Sequence, residues 1–243
     1  MFQSRRAVLN AAGVSYLLSG FLLSLAAGTA WYVSRHDPYR LRLDWEAVLA
    51  QRAADSGLHL LGGLLLFAAA VAGVYVSLAA TARARQLHPT SGAFAAVFLL
   101  GAMFSLAAIA VWSGVVETYH GLQFQAIRDP VLRQAFLIES RISERLLMLW
   151  LWTLLGFLAL GLYCLGRAVR GERGWLPVVL KLAAVFILLH VPMSLYLWQA
   201  SLLEGRHVGW LAAVDRLLVW GGLAVATYLC GNWLRRLGRA LPE

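Results

Sequence analysis

Apolar residues run in six long stretches, near residues 8–33, 57–82, 92–117, 146–168, 177–200 and 210–232, and polar residues collect in the five segments between them. A helix needs about 20 apolar residues to cross the roughly 30 Å hydrocarbon core of a bilayer. Only helices and closed barrels satisfy every backbone polar group there, and stretches this long and evenly apolar suit helices. The pattern therefore predicts an all-α integral membrane protein, a single bundle of six transmembrane helices occupying residues 1–243.

Two of the connecting segments carry a helical period of their own. Residues 39–53 place Leu41, Trp45, Val48 and Leu49 on one side of a wheel, with Arg42, Glu46 and Arg52 elsewhere. Residues 122–145 repeat the pattern with Phe124, Ile127, Val131, Leu132 and Phe136. Both predict short helices lying on the membrane surface, placed to cover the ends of the spans. Trp31, Trp45, Trp112, Trp198 and Trp210 fall at the same level, where tryptophan commonly forms an interfacial belt.

Charge then orients the bundle. Arg5, Arg6, Arg83, Arg85, Arg167, Arg170, Arg173, Lys181, Arg235, Arg236 and Arg239 lie on alternate polar segments, opposed only by Glu172 and Glu243. The remaining segments hold ten cations and ten anions. Cationic segments stay in the cytoplasm, which predicts both termini inside and a bacterial inner-membrane location. The formal charge of +9 is thus split into short clusters at span ends, where anionic lipid lies. It forms no contiguous basic face for nucleic acid. Cys164 and Cys230 make no CxxC or metal spacing and read as small apolar helix residues. The opening residues resemble a secretory signal, but their apolar run exceeds a signal's core, so they read as a retained first span.

Histidine is the chemistry this chain offers. His88 sits beside Pro89 on a cationic segment, and His36 follows the first span. His59 opens the second span in SGLHLLGG, whose glycines leave room for a flat group to approach. His120 follows the third span in VETYHGLQ, His207 lies in LLEGRHVG, and His190 is inside the fifth span in FILLHVPM. Imidazole ligates haem iron, copper and zinc, and an ionisable residue within a span is functional by default. His59 and His190 rank first on that ground, although about ten residues of helical rise separate their depths. His59 with His120 or His207 is closer in depth. A zinc or copper centre is disfavoured, because no HxH or HxxxH spacing occurs.

The chain resembles the haem-handling proteins of system I cytochrome c biogenesis, of the cytochrome c maturation protein C type. GLHLLGGLL around His59 stands where that family has LHxPxxxW, without its Pro and Trp. Glu139-Ser140-Arg141-Ile142-Ser143-Glu144-Arg145-Leu146 stands for an Asp-x-Arg-Leu-Thr-x-Glu-Leu element, and Leu189-His190-Val191-Pro192 with Tyr196 and Trp198 for a Leu-Pro segment. The tryptophan-rich motif is missing: between Thr118 and Glu139 the aromatics are Tyr119, Phe124 and Phe136. Leu195 stands where the family's second axial histidine falls. The resemblance implies a haem b held at the outer face and passed to a periplasmic haem chaperone. It implies His59 as first iron ligand and His207, His120 or His190 as second. Arg141 and Arg128, with Arg133 and Arg145, would hold the propionates, and Trp112, Phe124 and Trp198 would flank the ring. No nucleophile–base pair or phosphate-binding loop suggests an enzyme. Two other readings of the same residues stay open: a structural or haem-anchoring membrane subunit of a respiratory oxidoreductase, and a small-solute transporter.

Overall fold

A computed structural model describes residues 2–34, 45–172, 174–203 and 209–240, and every regular element among them is a helix. In chain order these are α1 (Phe2–Ser34), α2 (Trp45–Ala54), α3 (Ser56–Leu87), α4 (Pro89–Val111), a π-helical turn (Trp112–Val116), α5 (Glu117–Ala126), α6 (Pro130–Ala168), α7 (Leu176–Leu203) and α8 (Gly209–Ala240). Four stretches are long and apolar enough to cross a membrane: Ser56–Leu87, Pro89–Ala126, Pro130–Ala168 and Leu176–Met193. They carry the second to fifth predicted spans. The first and last predicted spans fall on α1 and α8.

Local chemistry sets the breaks. His88 precedes Pro89, which disfavours helical backbone at the residue before it; His88 is extended, at φ −149° and ψ 94°. It ends α3 and caps α4, its Nδ1 accepting from Ser91 N at 3.5 Å. The Asp129-Pro130 pair starts α6 in the same manner. Asp129 Oδ1 accepts from Val131 N at 2.8 Å and Leu132 N at 3.0 Å, and proline occupies the first helical position, where no N–H is needed.

The predicted interfacial helix over 122–145 is instead the end of one long helical rod and the start of the next. A break at 127–129 divides it. Its apolar period continues the faces of the adjoining spans, so the helices propagate through it rather than stopping at the membrane. The other predicted short helix forms as α2, burying Trp45, Leu49 and Ala53 at a four-residue repeat. Residues 39–44 lie outside the described residues.

Each long helix packs on its neighbour in sequence, and α8 returns to α1, so the six close into a ring. The pairings are antiparallel. Ser19 Oγ donates to Ala69 O and Tyr75 Oη to Val8 O between α1 and α3, and Gly20 faces Thr227 while Gly238 faces Asn10 between α1 and α8. One end of the ring therefore gathers Arg6, Arg85, Arg170 and Arg239. A core cluster drawn from all six long helices lies toward that end, including Ala12, Ala80, Leu99, Leu165, Leu180 and Leu234. Outward, Leu64, Val97 and Phe104 are 67 %, 67 % and 73 % exposed. A soluble monomer rarely exposes apolar area on this scale, and a lipid bilayer is the environment it suits.

Small residues let the helices touch along their backbones, as is usual in membrane bundles. The tightest case joins α3 to the π turn. A Cβ on Gly63 would lie 2.7 Å from Gly114 Cα and 2.8 Å from Ala110 O. Both are backbone atoms and cannot swing aside. The space that Gly63 leaves is thus filled by the backbone of the π turn. Gly156 on α6 has nothing within 4 Å of such a Cβ. Gly63→Ala is expected to destabilise the bundle by about 1–3 kcal/mol through overpacking. Gly156→Ala should be neutral or stabilising by up to about 1 kcal/mol from helix propensity. Reversible unfolding in mixed micelles measures both, and equal effects at the two sites would refute the close approach.

Candidate functional site: a buried His–Glu–Arg cluster

Opposite the arginine-rich end, α2, the start of α3, the π turn, α5 and the start of α6 converge. His59 and Arg85 lie on one helix, so at about 1.5 Å per residue the cluster is roughly 39 Å from the arginine end. That exceeds the hydrocarbon thickness, so the two ends suit opposite faces of a bilayer.

The cluster is built around Glu117. Its N–H bonds to Trp112 O across five residues, which defines the π turn. Such turns insert one extra residue and re-aim the helix face that follows, and they concentrate at functional sites. Thr118 Oγ1 donates to Gly114 O at 2.7 Å, occupying a carbonyl within the turn. From there α5 buries Glu117, Thr118, His120, Gly121 and Phe124. Residues 117, 120, 121 and 124 share one helical face.

α2 lies across that face. A Cβ on Gly121 would meet Ala53 N at 2.6 Å, so the two backbones are in contact. Trp45, Leu49 and Phe124 form a small core, flanked by Val48, Phe136 and Leu137. Two ion pairs bracket it. Inside, Arg52 Nη2 meets Glu117 Oε1 at 3.4 Å, each side chain 11 % exposed. At the rim, Arg133 Nη2 donates to Glu46 Oε2 at 3.1 Å with both side chains well exposed, and the Arg133 guanidinium lies 4.2 Å over the Phe124 ring.

The imidazoles complete the cluster. His59 Nδ1 is 4.0 Å from Glu117 Oε2, the oxygen that Arg52 does not hold. His59 Nε2 is enclosed, with no hydrogen-bond partner among the described residues. His120, one turn beyond Glu117, packs edge-on against Phe136 with ring centroids 5.5 Å apart. Its Nδ1 and the Trp45 Nε1 are likewise enclosed without partners. Burying a polar group unpaired costs about 1–3 kcal/mol, so each of these three atoms, on α2, α3 and α5, is a place that a water or a ligand group would satisfy.

The sequence-derived candidates sort as follows. His59 and His120 belong to this cluster. Trp112 lies at its edge, donating from Nε1 to Ser143 Oγ at 3.0 Å and tying the π turn to α6. Trp45 is 5 % exposed and belongs to the small core, not to an interfacial belt. Arg128 and Arg141 are exposed, and Arg133 reaches α2, where it pairs with Glu46. His190 is half-buried on α7, which packs on α6 and α8. Counted along the helices from the contact of Gly166 with Leu180, it lies roughly 20 Å deeper than the level of Ser143 and Trp112. It therefore cannot share one iron with His59. His207 lies outside the described residues, as do the side chains of Trp198, Trp31 and Trp210. Among the described residues no three His, Cys, Asp or Glu side chains are grouped to hold a metal ion by themselves.

Glu117, Arg52 and Ser143 carry this site without having been singled out by their spacing. The signal for Glu117 was present: it is an acid at the end of an apolar span, three residues before His120. Matched against protein-family models, curated proteins and solved structures, the chain finds no counterpart in any of the three.

Removing one partner of a buried ion pair leaves an uncompensated charge and costs about 3–5 kcal/mol. Arg52→Ala is expected to fall in that range in detergent unfolding, and Arg133→Ala at the rim below about 1 kcal/mol. The double variant Arg52→Met/Glu117→Leu should recover most of the loss. A small effect of Arg52→Ala would show that Glu117 is not held by it.

Proposed function

We propose that this chain is a membrane-embedded haem-binding protein, with six spans and both termini cytoplasmic, that handles haem b for cytochrome c assembly at the outer face of a bacterial inner membrane. The observation that carries it is the enclosed, unpartnered His59 Nε2, backed on its other nitrogen by a buried carboxylate. Haem needs an apolar slot, an imidazole and cations for its propionates, and these residue types meet here: Trp45, Phe124 and Phe136 for the slot, His59 for the iron, and Arg52 and Arg133 for the carboxylates. Guanidinium suits that last role through its bidentate geometry. His120, in the same cluster, is favoured over His190 as a second ligand. When bound, the haem iron supplies redox and ligand-exchange chemistry; the protein's part is to seat the ring, exclude water and release it. Because Nε2 is enclosed, entry requires α2 to lift from α5, breaking the small core, the Gly121 backbone contact and the two ion pairs described above.

One observation favours a second assignment, the membrane subunit of an oxidoreductase complex. The first turns of α6 run beyond the level of Ser143 with Val131, Ile138 and Ile142 76 %, 57 % and 56 % exposed, and with Ala135 exposed between them. This three-and-four spacing is the stripe a partner helix packs against.

The protein purified in detergent and titrated with haem is expected to develop a Soret band and a reduced α band. His59→Ala should abolish both, His120→Ala should weaken them, and His190→Ala should leave them intact. Wild-type protein that gives no Soret shift at any haem concentration would sink the proposal. Co-purification of stoichiometric oxidoreductase subunits would move the second assignment to first place. A fluorescent protein fused after residue 243 should fluoresce, as it does only on the cytoplasmic side; a dark fusion would invert the topology.

A further inference from the structure

Within the haem-binding proposal, and resting on it, we infer that Glu117 is the positioning residue that selects the tautomer of His59, so that Nδ1 carries the proton and Nε2 is the nitrogen presented to iron. A histidine that ligates a metal through one nitrogen usually directs the other N–H at a carboxylate or carbonyl, and that partner fixes both ring orientation and tautomer. The geometry here has that form. Glu117 Oε2 faces His59 Nδ1 at 4.0 Å while Oε1 is taken up by Arg52 at 3.4 Å. The separation is too long for a hydrogen bond, so the selection is electrostatic; Asp55 at the start of α3 adds a second carboxylate near His59, and the Arg52 charge opposes both. A bare Nδ1 lone pair facing a carboxylate is repelled, whereas an Nδ1–H presents its positive end to it. Little water intervenes to weaken this, since the His59 and Glu117 side chains are 17 % and 11 % exposed.

Glu117 is itself held at the π turn by its N–H bond to Trp112 O, beside the backbone contact of Gly114 with Gly63. Gly63 lies one turn along α3 from His59, and His59 O is 3.5 Å from a Cβ placed on Gly114. Carboxylate and imidazole are therefore fixed to the same helix–helix contact, and their separation does not depend on flexible loops. His120 differs in degree: its ring packs at 90° to Phe136, and Glu139, the carboxylate that acts on it, forms no ion pair with it among the described residues. The structure thus assigns the two imidazoles unequal roles, with His59 prepared to ligate before any haem arrives.

The test reads the ligand-free protein first. Nitrogen-15 NMR of histidine-labelled protein in bilayers at about pH 8, above the ordinary imidazole pKa, distinguishes the two neutral tautomers, and His59→Ala assigns the signal. His59 is expected to be mainly Nδ1-protonated, against the Nε2-protonated preference of free histidine. In Glu117→Gln the side-chain amide can donate to a bare Nδ1, so the population should turn toward Nε2–H. The same variant should bind haem about 10–100-fold more weakly, the usual effect of losing such a partner. Glu117→Asp, which keeps the charge and withdraws it by one methylene, should keep the tautomer and fall between the two in affinity; it serves where Glu117→Gln does not fold. An Nε2-protonated His59 in the ligand-free wild type, or a tautomer unmoved by Glu117→Gln in protein that binds haem normally, overturns the inference alone. Wild-type protein that takes up no haem overturns the haem proposal and this role together.

Discussion

A carboxylate buried at the end of an apolar helix has to be compensated, and the arrangement at this end of the bundle follows from how Glu117 is. Leaving an ion unpaired in such surroundings costs several kcal/mol. Arg52, a residue 65 positions earlier in the chain, supplies one compensating charge, and α2 must fold back over α5 to deliver it. That docking buries Trp45 and Leu49 against Phe124 and brings the backbone of α2 against Gly121. Glycine at 121 and the four-residue repeat of Trp45, Leu49 and Ala53 are the sequence conditions for it. The ion pair and the apolar contact thus support one another: neither the short core nor the pair alone would hold a ten-residue helix, which is marginal in isolation.

The same constraint organises the bundle along its axis. Arginines with few acids beside them collect at one end, while at the other arginines pair with carboxylates and the imidazole cluster lies among them. Between them the described interior is largely apolar or small, its hydroxyls bonding back to their own helices, as Thr81 to Ser77 O at 2.6 Å and Ser105 to Gly101 O at 3.0 Å, or across to a neighbour, as Ser19 to Ala69 O. His190 is the exception in depth. Its distance from His59 along the axis removes the pairing that a reading of intramembrane ionisable groups would favour, and it leaves the end cluster as the place where two imidazoles share one environment.

How much of this was legible in the sequence depends on the kind of information. Apolar runs located the second to fifth spans closely, because burial in lipid or protein demands them whatever the packing. The breaks at His88-Pro89 and Asp129-Pro130 were legible for the same local reason, proline's missing N–H. The period over 122–145 was seen, yet its meaning was not: a helix continuing a span and a helix lying on the surface have the same apolar repeat, and only tertiary contacts separate them. Gly63 was noted for the space it leaves, but what fills that space is Gly114, some fifty residues away. Trp45 reads as a belt residue and is core instead, packed with Leu49 and Phe124 where α2 docks on α5. Pairing across the chain is what a single sequence does not show, and both Glu117 and the Arg133–Glu46 pair depend on it.

The two ion pairs on α2 are not equivalent, and the difference bears on how the site opens. The rim pair, with side chains 41 % and 54 % exposed, is of the kind that contributes about 0.2–1 kcal/mol. The inner pair is nearly enclosed, so separating it is costly unless something replaces the partner lost. A carboxylate arriving on a ligand could do so, because a guanidinium accepts one carboxylate in place of another with little change in geometry. A propionate that took Arg52 from Glu117 would loosen α2 and at the same time free Glu117 Oε1 beside His59. Entry of an anionic ligand, release of the covering helix and tightening of the carboxylate on the imidazole would then draw on one residue, Arg52. An uncharged apolar ligand would have no such means of entry.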